Sequence, residues 1–184
     1  MARPVFPELR TARLVLRELH AKDVPRLSAL LQDEEVTRYI GWGPIKHRRK
    51  FIRGMRKNFL AGRELHWGIC EKEGGALMGV ISLHPIDRAN QRAMAGFWLG
   101  RDYWHRGYAA EAFRAVLTYC FDELNLNRVW ASHLAGNEAS GRVQQKCGLR
   151  YEGTQRQHHG LSGRCLDLLL YGILKEDFAN PSQI

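Results

Sequence analysis

The segment formed by residues 92–135 constrains the fold more than any other part of the sequence. It begins with an apolar run, "RAMAGFWLG", and ends with another, "NRVWASHLA". Between them, apolar residues such as Phe113, Val116, Leu117 and Cys120 repeat at intervals of three and four, which predicts an amphipathic helix with one buried face. Two strands joined through a helix require a crossover connection and pair in parallel. The sequence therefore predicts a parallel pair of strands.

The flanking segments predict antiparallel neighbours for this pair. "RLVLREL" alternates apolar and polar residues as a strand does, and "LHWGICEKEGGALMGVISLHPI" joins two apolar runs through paired glycines, which is typical of a hairpin. This hairpin and "RAMAGFWLG" predict an antiparallel meander over residues 65–100. "LRYEGTQRQHHG" and "RCLDLLLYGIL" predict a second hairpin at the end of the chain.

Helices are expected beside these strands in "AKDVPRLSALLQDEEVTRYI", in the basic "HRRKFIRGMRKNFLAG", in the crossover and in "NEASGRVQQKCG". The fold class is therefore α/β, with a mixed, mostly antiparallel sheet of about seven strands flanked by about four helices. Strands can splay where a parallel pair interrupts an antiparallel sheet, which is between the fourth and fifth strands here. Ligands bind at comparable points in other α/β sheets.

The composition fits one globular domain covering residues 1–184. The chain is 45% apolar and 26% charged, and it has no apolar run of the roughly 20 residues that span a bilayer. Its N-terminus lacks an apolar stretch of signal-peptide length. The four cysteines are far apart without a CxxC motif, and the adjacent His158 and His159 point to opposite faces of a strand. We therefore expect a cytoplasmic protein with reduced thiols and no metal site.

The formal net charge of +9 leaves several partners open. It is compatible with a phosphorylated ligand, an acidic or ribosomal protein, or nucleic acid, and equally with a merely solvated surface. The basic run "KHRRKFIRGMRK" at residues 46–57 supports one alternative, a non-catalytic basic binding module. That alternative, a module for nucleic-acid or protein contact, leaves the glycine loop at residues 105–112 unexplained, and a nucleic-acid partner is therefore not expected.

This loop, "HRGYAAEA", predicts an anion site. Gly107 permits a close approach of the backbone to a ligand, and the small Ala109 and Ala110 leave room for a phosphate. The amides at the start of the following helix have no partner within it, and the helix dipole favours negative charge there. Taken alone, a glycine before a helix is also compatible with an ordinary turn.

Three blocks of sequence, in order, resemble the GNAT superfamily of acetyl-CoA-dependent N-acetyltransferases. They are "TARLVLREL" with "DVPRLSALLQDEEVTRYIG", then "GFWLGRDYWHRGYAAEA", then "NEASGRVQQKCGLRYEG". Over nearly the whole chain, the sequence is similar to the branch that contains the ribosomal-protein alanine and serine N-acetyltransferases. The resemblance implies a GNAT fold, acetyl-CoA as cosubstrate and transfer of acetyl to a primary amine.

The resemblance also implies a cofactor site. Main-chain groups of Trp98, Leu99 and Gly100 would pair with the pantetheine arm as an added strand does. Loop amides would bind the diphosphate, and they belong to His105, Arg106, Gly107, Tyr108, Ala109 and Ala110. The Arg106 side chain would add positive charge. Trp104 stands where the family often has Gln or Arg, a departure that affects a side-chain contact but not the amides.

In the same branch, the residue matching Asn137 contacts the cofactor and the residue matching Ser140 lies near the thioester sulfur. The resemblance therefore makes Ser140 the candidate acid for the departing thiolate. From the sequence alone, Asn137 is equally interpreted as the N-cap of a helix. Cys147 lies in a helix stripe without a histidine placed as its base, which favours a packing role and direct attack of the amine on the thioester.

The general base is left open by the sequence. Many relatives carry a carboxylate where this chain has Met94, in "AMAGFWL". His84, Glu152 and His133 are the alternatives, and each is also compatible with an ordinary polar role. His84 and Trp42 are predicted to line the acceptor site, and Trp42 lies in a Gly/Pro-rich connection that borders the acceptor channel in this family.

The acceptor expected from the resemblance is the N-terminal amine of a protein, such as a ribosomal protein. A small amine, such as an aminoglycoside or a polyamine, is the alternative, which the positive charge of the chain disfavours. A homodimer is expected because the branch often pairs and because the last hairpin leaves an exposed sheet edge.

Overall fold

The structure is a computed structural model and describes residues 4–40, 47–73, 75–161 and 163–179. Its strands are β1 (Leu9–Arg10), β2 (Leu14–Glu18), β3 (Leu65–Glu71), β4 (Leu77–Asp87), β5 (Arg92–Leu99), β6 (Arg128–Leu134), β7 (Arg150–Leu161) and β8 (Arg164–Leu174). They form one sheet in the order β1-β2-β3-β4-β5-β6-β8-β7. All neighbours are antiparallel except β5 and β6. The predicted crossover and the mixed α/β class are confirmed.

The helices are α1 (Val24–Leu30), α2 (Glu34–Thr37), α3 (Arg48–Leu60), α4 (Tyr108–Thr118), α5 (Glu138–Lys146) and α6 (Lys175–Ala179). A π-helical turn, Tyr119–Glu123, continues α4. Across these ranges, no helix combines the length and apolar character that a membrane crossing requires.

The element counts exceed the predicted seven strands and four helices, since the described residues form eight strands and six α-helices. The extra strand, β1, has only two residues, too few for a periodic pattern. The first predicted helix is divided because the Asp33 side chain accepts a hydrogen bond from the Glu35 amide at 2.9 Å and caps a new helix. The additional helix α6 spans only five residues.

The core lies on both faces of the sheet. One face packs against α4 and the π-helical turn through residues such as Trp67, Phe113 and Phe121, all nearly or fully buried. The other face packs against α1 and α2 through residues such as Leu27 and Trp98. Because Phe113 is fully buried, its truncation to Ala would cost about 3–5 kcal/mol. Packing on both faces holds the sheet in place, so that groups on its edges keep fixed positions.

The predicted splay lies between β5 and β6. These strands pair only from Arg92 to Met94, which match residues 128–130. On the opposite side of β5, the register with β4 shifts between Leu83 and Ile86, whose partners are Ala95 and Ala93. A bulge of this kind bends a strand and increases its twist. It lies opposite Met94, the last residue of β5 that pairs with β6.

Candidate active site

The free edge of β5 beyond Met94 forms one wall of a cleft. The Gly100 amide donates to the Met78 carbonyl at 2.8 Å, so Gly100 directs its backbone groups toward β4. Successive residues of a strand direct these groups to opposite edges. The edge facing the cleft is therefore formed by Leu99 and Phe97.

This geometry changes which residues of β5 would contact the pantetheine arm. Of Trp98, Leu99 and Gly100, only Leu99 directs its backbone groups into the cleft, and its carbonyl accepts from the Trp104 indole at 2.8 Å. Trp98 is 8% exposed and packs in the core beneath α1. Phe97 was missed by the sequence analysis, although the alternation of a strand would have indicated it once the partner strand was known.

The loop before α4 contains two residues with a left-handed backbone. Gly107 has a φ of 79° and His105 a φ of 60°, both in the left-handed region. Within the described part of the chain, the amides of residues 105–110 donate to no backbone carbonyl. They stand at the positive end of α4, where an anion is favoured. The loop can therefore bind a diphosphate through its backbone.

Contacts of Glu111 with Thr11 and Arg13, here called the brace, hold this loop in place. Glu111 Oε2 accepts from Arg13 Nε at 2.7 Å, and Oε1 accepts from the Thr11 hydroxyl at 2.6 Å. Arg13 Nη1 also donates to the Arg106 carbonyl at 3.0 Å. Burial raises the pKa of Glu111, but the hydrogen bonds from Thr11 and Arg13 outweigh it and lower the pKa overall. Sequence reasoning missed this brace, because nothing local links residues so far apart.

The Tyr108 side chain contacts residues outside the loop. The Tyr108 hydroxyl donates to Glu71 Oε1 at 3.4 Å, and the Arg13 guanidinium lies 4.5 Å from the centre of the Tyr108 ring.

The Cys147 thiol donates to the Ala110 carbonyl at 3.5 Å. Burial raises the pKa of Cys147 to about 11, so this residue stays a thiol and packs rather than attacks. Arg106 is exposed, and the half-buried Ala109 packs at the edge of the core.

The start of α5 carries the candidate acid. The Asn137 side chain accepts from the Ser140 amide at 3.3 Å, so Asn137 is the N-cap of α5. The Ser140 hydroxyl oxygen accepts from Gln144 Nε2 at 3.2 Å, and the same nitrogen donates to the Ser132 carbonyl at 3.2 Å. Ser132 lies two residues beyond Trp130, where β6 parts from β5. Gln144 thereby links the Ser140 hydroxyl to the part of β6 that does not pair with β5.

His84 lies within the bulge of β4, opposite Met94. Its Nε2 is 3.6 Å from the position that a Cβ would occupy on Gly96. The ring stacks on His66 with 5.7 Å between centroids. His66 Nε2 contacts Glu64 Oε2 at 3.1 Å, and burial lowers the pKa of His66. A half-buried histidine therefore lies beside Met94, the last residue of β5 that pairs with β6.

The other two candidate bases are placed differently. Glu152 Oε1 accepts from Arg128 Nη1 at 2.6 Å in an ion pair. His133 is buried, and a Cβ on Gly141 would approach its Cε1 to 2.7 Å. Trp42 lies outside the described residues, and its acceptor role stays a prediction. Across the described ranges, no three His, Cys, Asp or Glu side chains group as metal ligands would.

The chain is similar in sequence to known acetyltransferases. The family profile described as "Acetyltransferase (GNAT) domain" matches residues 13–150. The uncharacterized N-acetyltransferase YoaA of Bacillus subtilis (strain 168) is 33% identical over 175 residues, which cover 93% of this chain and 98% of that protein. The putative ribosomal N-acetyltransferase YdaF of the same strain is 38% identical over 104 residues, covering 56% of this chain and 57% of that protein.

Solved structures share the fold. A probable acetyltransferase superposes with a TM-score of 0.86 at 30% identity, covering 92% of this chain and 98% of that one. A ribosomal L7/L12 alpha-N-protein acetyltransferase gives 0.83 at 21% identity, with 91% and 98% covered. A spermidine N-acetyltransferase from Vibrio cholerae gives 0.82 at 20% identity, with 92% and 100% covered. With the profile match and the similarity to YoaA, the chain belongs to the GNAT family and is an acetyl-transferring enzyme.

Proposed function

We propose that this enzyme transfers acetyl from acetyl-CoA to the N-terminal amine of a protein, such as a ribosomal protein. The single observation that carries the transfer from acetyl-CoA is the opening between β5 and β6, beside the amides of residues 105–110 that donate to no backbone carbonyl of the described residues. A thioester arm lying in this opening would bring its sulfur toward α5 while its diphosphate stays at the start of α4. The amine then attacks directly, without an acyl-enzyme.

Binding of acetyl-CoA requires few side chains. The pantetheine arm would pair with the cleft edge of β5 at Leu99 and Phe97, as an added strand pairs with a sheet edge. The indole N–H of Trp104, which now donates to Leu99, would then share that carbonyl with the arm or release it. The diphosphate would accept hydrogen bonds from the loop amides, with Arg106 as an exposed countercharge.

The reaction moves one proton from the amine nitrogen to the thiolate sulfur. An ammonium group must first lose a proton to become a nucleophile, and His84 would accept it. Ser140 would give its hydroxyl proton to the sulfur and regain one from the nitrogen or from water, so the serine is unchanged overall. Asn137, as the cap of α5, holds Ser140 near the cleft.

The proposed acceptor class rests on the charge of α3. This helix has six basic residues and no acidic one: Arg48, Arg49, Lys50, Arg53, Arg56 and Lys57. Of these, Arg56 pairs with Glu18 at 3.2 Å. A basic helix on the same side of the sheet as His84 would attract an acidic chain and repel a polyamine. The partial similarity to a putative ribosomal N-acetyltransferase supports the same class.

A transfer screen tests this assignment. Acetyl-CoA would be offered with peptides that differ in first residue and in net charge, and in parallel with polyamines and aminoglycosides. We expect transfer to acidic peptides, with KM rising as salt increases. Arg53→Glu should raise KM for these peptides severalfold, whereas Arg156→Glu, the same change of charge on the distant β7, should not. Transfer to polyamines alone would overturn the protein acceptor.

The same proposal includes a homodimer and a cytoplasmic location. The edge strand β7 has register shifts at two places, which disfavour edge pairing. A second copy would instead cover Leu166, Leu168 and Leu170, which are half-buried on β8. Light scattering should show a dimer at micromolar concentration, and Leu168→Lys should shift it to monomer. The free cysteines, three of the four buried, are compatible with a reducing compartment.

A further inference from the structure

Gln144 is a buried polar side chain that the proposed reaction does not use directly. It is 1% exposed and lies one helical turn after Ser140 on α5. Most buried polar side chains are satisfied by hydrogen bonds, and an unsatisfied one costs free energy. Gln144 Oε1 has no partner among the described residues, although Nε2 has two. Apolar packing alone does not explain an amide in this place.

The orientation of this amide is determined by its neighbours. The Ser132 carbonyl can only accept, so the atom 3.2 Å from it must be the donating Nε2. The same Nε2 is 3.2 Å from Ser140 Oγ, and the hydroxyl therefore accepts there. A hydroxyl has a single proton. Since Gln144 offers no acceptor at this contact, the Ser140 proton must point away from Gln144.

The surroundings hold the amide in this position. The His133 ring packs against Gly141, where a Cβ would approach Cε1 to 2.7 Å, and lies 5.4 Å from the Tyr171 ring. Burial lowers the pKa of His133, a shift that the nearby Gln144 partly opposes, so this histidine is neutral near pH 7. Its Nδ1 is buried without a partner among the described residues. The amide nitrogen therefore has two acceptors among the described residues, the Ser132 carbonyl and the Ser140 hydroxyl, one for each of its protons.

We infer that Gln144 is a positioning residue for Ser140, because its donated hydrogen bond leaves the serine proton directed to the departing sulfur. This inference rests on the proposed acid role of Ser140. The hydrogen bond to Oγ also makes the hydroxyl a better proton donor, since it stabilises charge that develops on the oxygen. Gln144 itself touches neither acetyl-CoA nor the amine.

Three variants test the inference in the full-length enzyme. Gln144→Met keeps the volume and removes the donor, and we expect kcat to fall about tenfold, the effect of one lost hydrogen bond. Affinity for acetyl-CoA, measured by calorimetry, should not change. Gln145→Met is the matched control, since Gln145 is exposed and adjacent in the same helix, and its kcat should equal that of the wild type. Gln144→Met in a Ser140→Ala background should lower kcat less than twofold further.

Gln144→Glu tests the positioning role through the pH dependence of activity, which a purely structural role of Gln144 would not change. An ionised carboxylate accepts the Ser140 proton and reverses the hydrogen bond, whereas a protonated one can donate as the amide does. The activity of this variant relative to the wild type should therefore rise as pH falls. An unchanged kcat in Gln144→Met, or an equal loss with and without Ser140, would overturn the positioning role. A wild-type enzyme that transfers acetyl to no amine would instead overturn the proposed function.

Discussion

Arg13 and Glu111 are 98 residues apart in the sequence and are joined by two hydrogen bonds beside the loop that precedes α4. The Arg13 side chain donates to Oε2 at 2.7 Å through Nε, and the Arg13 amide donates to Oε1 at 2.9 Å. One carboxylate in the first turn of α4 therefore holds both the backbone and the side chain that precede β2. The same arginine reaches the Arg106 carbonyl, so the contact braces the anion loop.

We predict that Arg13→Lys weakens acetyl-CoA binding by about three- to tenfold. Lysine keeps the charge but cannot donate to Glu111 and to the Arg106 carbonyl in the fixed geometry of a guanidinium. Calorimetric titration with acetyl-CoA measures the effect. Arg10→Lys, which alters an exposed pair with Glu8, is the control. Equal affinities for the two variants would mean that the brace is irrelevant to the loop.

Gly107→Glu should abolish binding of acetyl-CoA. The substitution places a negative side chain where the diphosphate would lie, and it strains a residue whose φ is 79°. Gly75→Glu has nearly the same backbone strain, with a φ of 64°, in open space at the β3–β4 turn. Calorimetry should show normal affinity for this control. Unchanged affinity in Gly107→Glu would remove the diphosphate from this loop.

Ser140→Ala is expected to lower kcat by about 10²-fold, the lower end of the range for general acid catalysis. We expect the lower end of the range because a thiol, with a pKa of about 8.5, is a fair leaving group without an acid. Steady-state kinetics would measure kcat, and acetyl-CoA affinity should be nearly intact. If binding is lost instead, Ser140 is a cofactor contact. A full kcat in Ser140→Ala with a loss in Asn137→Ala would limit this segment to capping and positioning.

His84→Gln should lower kcat/KM for the amine by at least about tenfold, because glutamine is polar and close to histidine in size but cannot act as a base. Steady-state kinetics at varied amine concentration measures the effect. Replacement of Glu152, which is bound to Arg128, provides the comparison, and Glu152→Gln should retain the wild-type kcat/KM. An unchanged kcat/KM in His84→Gln would exclude His84 as the proton acceptor.

Asp23→Asn should destabilise the protein by about 2 kcal/mol at pH 7, because Asp23 accepts two hydrogen bonds from Arg17 at 2.8 and 2.9 Å. Burial raises the pKa of Asp23, but the bonds from Arg17 and the His20 amide lower it overall below 3.8. A lowered pKa contributes stability above the unfolded value, and that contribution disappears as pH falls through the folded value.

Thermal unfolding at several pH values measures this effect. The Tm difference between the wild type and Asp23→Asn should be full near pH 7 and should shrink below about pH 4. Glu35→Gln, which alters an exposed contact with Arg38, should change Tm little at either pH. A Tm difference that is constant with pH would show that the ionised carboxylate is not the stabilising group.

The sequence by itself determined the elements whose cause is local. The period of three and four in α4, the alternation in the strands and the small residues around Gly107 depend on neighbours within one turn or one strand. They were sufficient for the crossover, the parallel pair and the start of a helix after Gly107. The N-cap Asn137 belongs to the same group, since its partner Ser140 is three residues away.

Only the tertiary structure decided which groups meet across these elements. The bulge that brings His84 opposite Met94, the brace between Arg13 and Glu111, and the amide of Gln144 against Ser132 depend on the register between strands and on the packing of helices against the sheet. Such contacts form because burial of the core holds distant segments at fixed positions. No short-range pattern encodes them, and for this reason the sequence left three candidate bases open and did not indicate Gln144.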